Sequence, residues 1–133
     1  MRAETRSDWP EDRLVQDFRK WAIEQSKFRF EPDRANRIDH EELIPCGDIL
    51  AARGLRALHK LLALLKDDNP NVRLNAAAFA FDADPAACRS TLEVLITEGG
   101  VLALLAWAVW SHHDPQTAPD PDIFLARRPS SEE

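Results

Sequence analysis

Apolar positions recur along most of the chain at helical spacing, and proline, glycine or asparagine marks the breaks between the periodic stretches. Leu14, Phe18, Trp21, Ala22 and Gln25 share one face, and Arg13, Asp17, Lys20 and Glu24 share another. This predicts an amphipathic first helix running to about Lys27. Asp8 and Glu11 are spaced as a capping box, with Pro10 in the first turn. Phe28, Phe30 and Pro32 break the pattern. A second helical region follows from about Asp33 to Arg53, where Pro45 and Gly47 should kink or interrupt it. Gly54 closes that segment, and Leu55, Leu58, Leu61, Leu62 and Leu65 then mark a third helix. Asn69-Pro70 opens a fourth: the residue before a proline suits an N-cap, and proline at the first helical position loses no hydrogen bond. Val72, Ala76, Phe79, Ala80 and Ala83 form one face of that helix, with Leu74, Ala77, Ala78 and Phe81 opposite. A helix apolar nearly all round is a buried one, so the chain is organised around it. Asp84-Pro85 repeats the start signal before Cys88, Leu92, Leu95 and Ile96, and Gly99-Gly100 ends that fifth helix. The sixth, Val101–Trp110, has no polar residue.

The expectation is an all-α fold of about six antiparallel helices. Residues 55–81 and 85–111 form two consecutive helix pairs of similar length, which predicts a short right-handed stack rather than a closed bundle. The domain is expected over 9–111, after a loose charged leader at 1–8. The tail at 112–133 is rich in proline and polar residues, which predicts extended or disordered chain around an apolar island, Ile123-Phe124-Leu125.

Around the central turn the run Asp67, Asn69-Pro70, Val72-Arg73, Ala76-Ala77 resembles a HEAT-like repeat. In that family the aspartate before the turn and the arginine after the valine interact, which implies an ion pair between Asp67 and Arg73. Over roughly residues 11–111 the ordered features resemble a small bacterial family, domain of unknown function two-thousand-nineteen. They are Leu14/Phe18/Ala22/Gln25, the segment Leu50-Ala51-Ala52-Arg53-Gly54, the turn and its helix, Asp84-Pro85 with Leu92, and a late helix ending in Trp. Pro45-Cys46-Gly47 and the tail depart from that pattern. The resemblance implies an armadillo-type fold and no established activity.

With 44% hydrophobic residues in 133, the chain has enough apolar content for one core. The formal net charge of −6, with basic residues interleaved among acids, argues against generic attraction to nucleic acid or anionic lipid. Val101–Trp110 is too short to span a bilayer, and the N-terminus lacks the apolar stretch of a signal peptide. Cys46 and Cys88 form no C-x-x-C and read as buried thiols of a cytoplasmic protein. No metal or cofactor is expected. His112-His113 reads as a solvated helix end, and Asp39-His40-Glu41-Glu42 as the wet face of the second helix. Ser26, Ser90 and Ser111 lie in no base-and-orienter pattern, and no phosphate loop or hydrolase motif is present.

The sixth helix is the informative anomaly. The last element of a stack needs a polar outer face, and this one has none. Either the tail folds back through Ile123, Phe124 and Leu125, or a second copy pairs through 101–110, or a different protein covers it. Trp107, Trp110, Leu104 and Phe124 are the residues nominated for partner binding. Asp67, Asn69, Pro70 and Arg73 are read as turn-building. The expected function is a non-enzymatic protein-binding module, with an immunity or antitoxin role as a narrower version by analogy. The alternative is a nucleic-acid-binding protein shaped like the HEAT-like DNA glycosylases for alkylated bases, for which Trp21, Trp107 and Trp110 supply aromatics but no basic stripe exists.

Overall fold

The structure, a computed structural model, describes residues 5–122. Among the described residues all regular structure is helical. A 3-10 turn, Arg6–Asp8, leads into helix α1, Glu11–Ser26. Helix α2 covers 32–52: an α-helical start Pro32–Ile38, a π turn Asp39–Leu43 and a second α-helical part Ile44–Ala52. Helix α3 covers 55–66, α-helical over Leu55–His59 and 3-10 over Lys60–Lys66. Helix α4 covers 70–83, with Pro70–Ala80 α-helical and Phe81–Ala83 3-10. Helices α5, Pro85–Glu98, and α6, Val101–His113, complete the set. The all-α class and the order of six helices are those the periodicity predicts.

The start signals work as their chemistry requires. Asn69 Oδ1 accepts from the N–H groups of Asn71 at 2.8 Å and Val72 at 3.2 Å, filling two orphan donors of α4. Asp84 Oδ1 accepts from Ala87 N at 3.1 Å and does the same for α5. Gly99 and Gly100 both hold positive φ, 82° and 80°, a conformation that side-chain-bearing residues resist, and so separate α5 from α6 within two residues.

Helix α4 is the centre. Val72, Ala76, Ala77 and Ala80 are fully buried, and the helix touches α1, α3, α5 and α6. It meets α2 where the Phe79 ring lies over Gly47. A Cβ at 47 would come within 3.0 Å of three Phe79 ring carbons. Phe79 in turn stands edge-on to Phe18 of α1, centroids 5.4 Å apart. The core around this axis includes Leu14, Phe18, Leu43, Leu50, Leu61, Leu92 and Leu95.

Four local expectations are refined. The interruption expected around Pro45 is present as a π turn between two α-helical parts, and the chain stays helical through it. The helix widens into the π turn, with Ile44 N–H reaching back to the Asp39 carbonyl. The Glu41 carbonyl, which a proline at 45 cannot serve, accepts from Arg6 Nη1 at 3.1 Å instead. Second, α3 ends as a 3-10 helix. Its buried leucines are Leu58, Leu61 and Leu64, three apart like the 3-10 repeat, while Leu55 at the first turn is 63% exposed. Third, Asp8 does not box with Glu11. Its carboxylate accepts from Thr5 N at 3.2 Å and Thr5 Oγ1 at 2.9 Å, closing the 3-10 turn, and Pro10 occupies the N-cap of α1. Fourth, the described part of the leader is docked. Arg6 pairs with Glu42, and Arg53 Nη2 donates to the carbonyls of Ser7 at 2.9 Å and Trp9 at 2.7 Å.

Candidate binding groove

A groove of about 520 Å³ runs between α2 and α6, with α4 as its floor. Asn71, Leu74, Asn75 and Ala78 form the floor, at the i, i+3, i+4, i+7 spacing of one helical face. Ala35, Asn36 and Asp39 of α2 line one wall, joined by Gln25 and Ser26 at the end of α1 and Arg29 in the turn after it. Val101, Leu102, Leu105, Ala108 and Val109 of α6 line the other, and His112 and His113 close the far end.

The floor and the polar wall are held by amides. Gln25 is the hub. Its Oε1 accepts from Asn71 Nδ2 at 2.9 Å and Asn75 Nδ2 at 3.3 Å, and its Nε2 donates to the Ala35 carbonyl at 3.1 Å. Asn71 Nδ2 also donates to the Ala22 carbonyl at 2.8 Å, and Asn75 Nδ2 to the Asn71 carbonyl at 2.8 Å. Carbonyl oxygens only accept, so these contacts fix which end of each amide is the nitrogen. The side-chain oxygens of Asn71 and Asn75 accept no hydrogen bond among the described residues. Asn71 is 7% exposed, so this network locks α1, α2 and α4 together beneath the groove.

The π turn places Asp39 on the wall. Burial raises its carboxyl pKa above the usual aspartate range, against a smaller opposing pull from His40. It has no hydrogen-bond or ion-pair partner among the described residues. At the far end, His113 stacks on Phe81 with centroids 4.6 Å apart and an interplanar angle of 7°, and its Nε2 donates to the Ala78 carbonyl at 2.9 Å. Both His112 and His113 nonetheless stay exposed, so the helix end is solvated as expected, with the His113 ring laid on Phe81. No metal-binding cluster of His, Cys, Asp and Glu exists among the described residues. Cys46 and Cys88 are buried free thiols, and burial pushes both up to about 12, which removes the thiolate from chemistry at neutral pH.

The nominated partner-binding residues lie elsewhere. Trp110 is 9% exposed and belongs to the core, and its Nε1 donates to Thr117 Oγ1 at 2.9 Å. Trp107 is half-buried and donates to the Pro119 carbonyl at 2.8 Å. Thr117 Oγ1 donates in turn to Asp114, which pairs with Arg89 of α5 at 3.4 Å. Residues 114–119 thus cover the tryptophan face, and neither indole stands free as an anchor. Leu104 is 50% exposed but lies outside the groove. Phe124, with Ile123 and Leu125, falls outside the described residues.

Of the turn residues, Asn69 and Pro70 build the helix start, while the expected Asp67–Arg73 ion pair does not form: Asp67 pairs with Arg19 instead. Asp67 Oδ1 accepts from Arg19 Nε of α1 at 2.5 Å, and its Oδ2 accepts from Asn69 N at 3.0 Å. Arg73 influences Asp67 only through its charge, and its own Nε is buried with no hydrogen-bond partner. The sequence reading placed Asp39 on the wet face of the second helix and did not single out Asn71, Asn75 or Leu105. A signal existed for the two asparagines, since they lie i, i+4 on a mostly apolar helix.

The arrangement defines an all-α protein with a groove across one face. The crystal structure of the protein RPA1889 from Rhodopseudomonas palustris CGA009 is similar to it, with a TM-score of 0.76 and 25% sequence identity over 89% of this chain and 99% of that one. No protein-family model matches the chain. No curated protein matches it.

Proposed function

We propose that this protein is a non-enzymatic binding module, a short HEAT-like stack of helix pairs that holds a segment of a partner protein in the groove between α2 and α6. The observation that carries this reading is the groove itself. It sets an apolar wall from α6 against a wall of amide and carboxylate acceptors, over a floor braced by the Gln25 network. An apolar surface rimmed by convergent polar groups on rigid helices is what a specific contact needs. Arg29 is the one permanent cation among its described lining residues, which does not make the basic track that a nucleic-acid backbone requires. The net charge of −6 favours encounter with a basic partner, as an immunity or antitoxin role would entail.

Selection of displayed peptides on the full chain, repeated on Leu105→Glu, tests the reading. Leu105 is 46% exposed, so a glutamate there leaves the core intact. Peptides enriched on the wild type should lose binding to the variant. Peptides that bind both equally would place the contact surface elsewhere.

A further inference from the structure

The proposed groove also carries information about its occupant. Three side chains that line it carry acceptor oxygens taking no hydrogen bond from the described residues: Asp39, Asn71 and Asn75. Asp39 is half-buried, and its carboxylate opens into the groove with no ion-pair partner from the described residues, so a cation arriving there would meet an unpaired charge. The other basic side chains lining the groove are Arg29 near one end and His112 and His113 at the other, and none of them pairs with Asp39. His40, next in sequence, acts on it only through its charge. Opposite, Val101, Leu105 and Ala108 present an i, i+4, i+7 apolar ridge. No strand edge exists among the described residues, so pairing through an added β-strand has no template.

We infer that the occupant is an amphipathic helix of a partner protein. Its apolar side lies against Val101, Leu105 and Ala108, and it bears a lysine or arginine that pairs with Asp39. This rests on the groove being the binding site. The helix would lie over α4 as a further layer, with its long cationic side chain reaching the π turn while its stem covers Ala35. Asp39 would then recognise the partner while leaving the isolated fold less stable than it could be.

The probe is a display library of amphipathic helices with a constant leucine/alanine face and randomised polar positions, selected on the full chain. Binders are then measured against Asp39→Asn, Asp39→Lys and Leu105→Glu. Lysine or arginine should dominate at one register position. Asp39→Asn should weaken those peptides about tenfold or more, and a glutamate at that position should restore binding to Asp39→Lys. Asp39→Asn is isosteric, and because burial penalises the charged form, it should melt no lower than the wild type at neutral pH. The two should converge as pH falls through the raised Asp39 pKa. Neutral or acidic consensus residues, or undiminished affinity in Asp39→Asn with binding still lost in Leu105→Glu, would overturn the inference and leave the groove standing. Binding indifferent to Leu105→Glu, or no enriched peptide, would overturn both.

Discussion

Gly47 shows how much can depend on a missing side chain. The Phe79 ring occupies the space its Cβ would need, and Phe18 behind that ring blocks retreat. Gly47→Ala should therefore destabilise the protein by about 1–3 kcal/mol, the usual effect of overpacking a core. Chemical denaturation would show this, and Phe79→Leu should recover part of the loss, since the two sites are in contact. Asp67 makes a different kind of contribution. Burial pushes its pKa up, but the Arg19 guanidinium, the Asn69 N–H and the charge of Arg73 outweigh that and hold it below the ordinary 3.8. A depressed carboxylate stabilises the fold fully above its unfolded pKa and ceases to do so as pH falls through the folded one. Asp67→Asn should thus be less stable than the wild type at neutral pH, with melting curves that converge below about pH 4. A constant difference across that range would mean that charge is not the cause. The glycine was visible in the sequence, as a departure at Pro45-Cys46-Gly47. Its reason was not, because Phe79 lies 32 positions away and only the fold brings the two together.

At the scale of elements, helix existence was legible because each start and stop has a local mechanism. Asn69-Pro70, Asp84-Pro85 and Gly99-Gly100 act within a few residues of where they stand. What was not legible depended on contacts between distant segments. Pro45 predicts an interruption on its own, but not that Arg6, far back in the chain, takes the carbonyl that the proline leaves free. Helix α6 was correctly singled out as apolar all round. Sequence alone could not say which side remains open. Trp107 and Trp110 are covered by 114–119, whereas Leu105 and Ala108 face the groove. A chain ending at His113 would uncover both indoles. It should lose about 1–3 kcal/mol of stability and self-associate in light scattering. A truncated protein that stays monomeric with an unchanged melting temperature would show that the tail contributes no cover.

The whole molecule is a set of helices wrapped around α4, with one face closed by its own tail and another shaped into a groove. No helix among the described residues is long and apolar enough to cross a membrane. On the proposed function, the net charge of −6 would set the long-range field in which a partner arrives, and the groove the short-range fit. The central claim is that binding happens between α2 and α6 rather than at the tryptophan face. Amide chemical-shift mapping of the full chain, titrated with a display-selected helical peptide, tests this most directly. The account predicts that the largest changes fall on Asn36, Asp39, Asn75, Ala78, Leu105 and Ala108. Changes centred on Val94, Leu104 and Trp107, with the α2 wall silent, would contradict it.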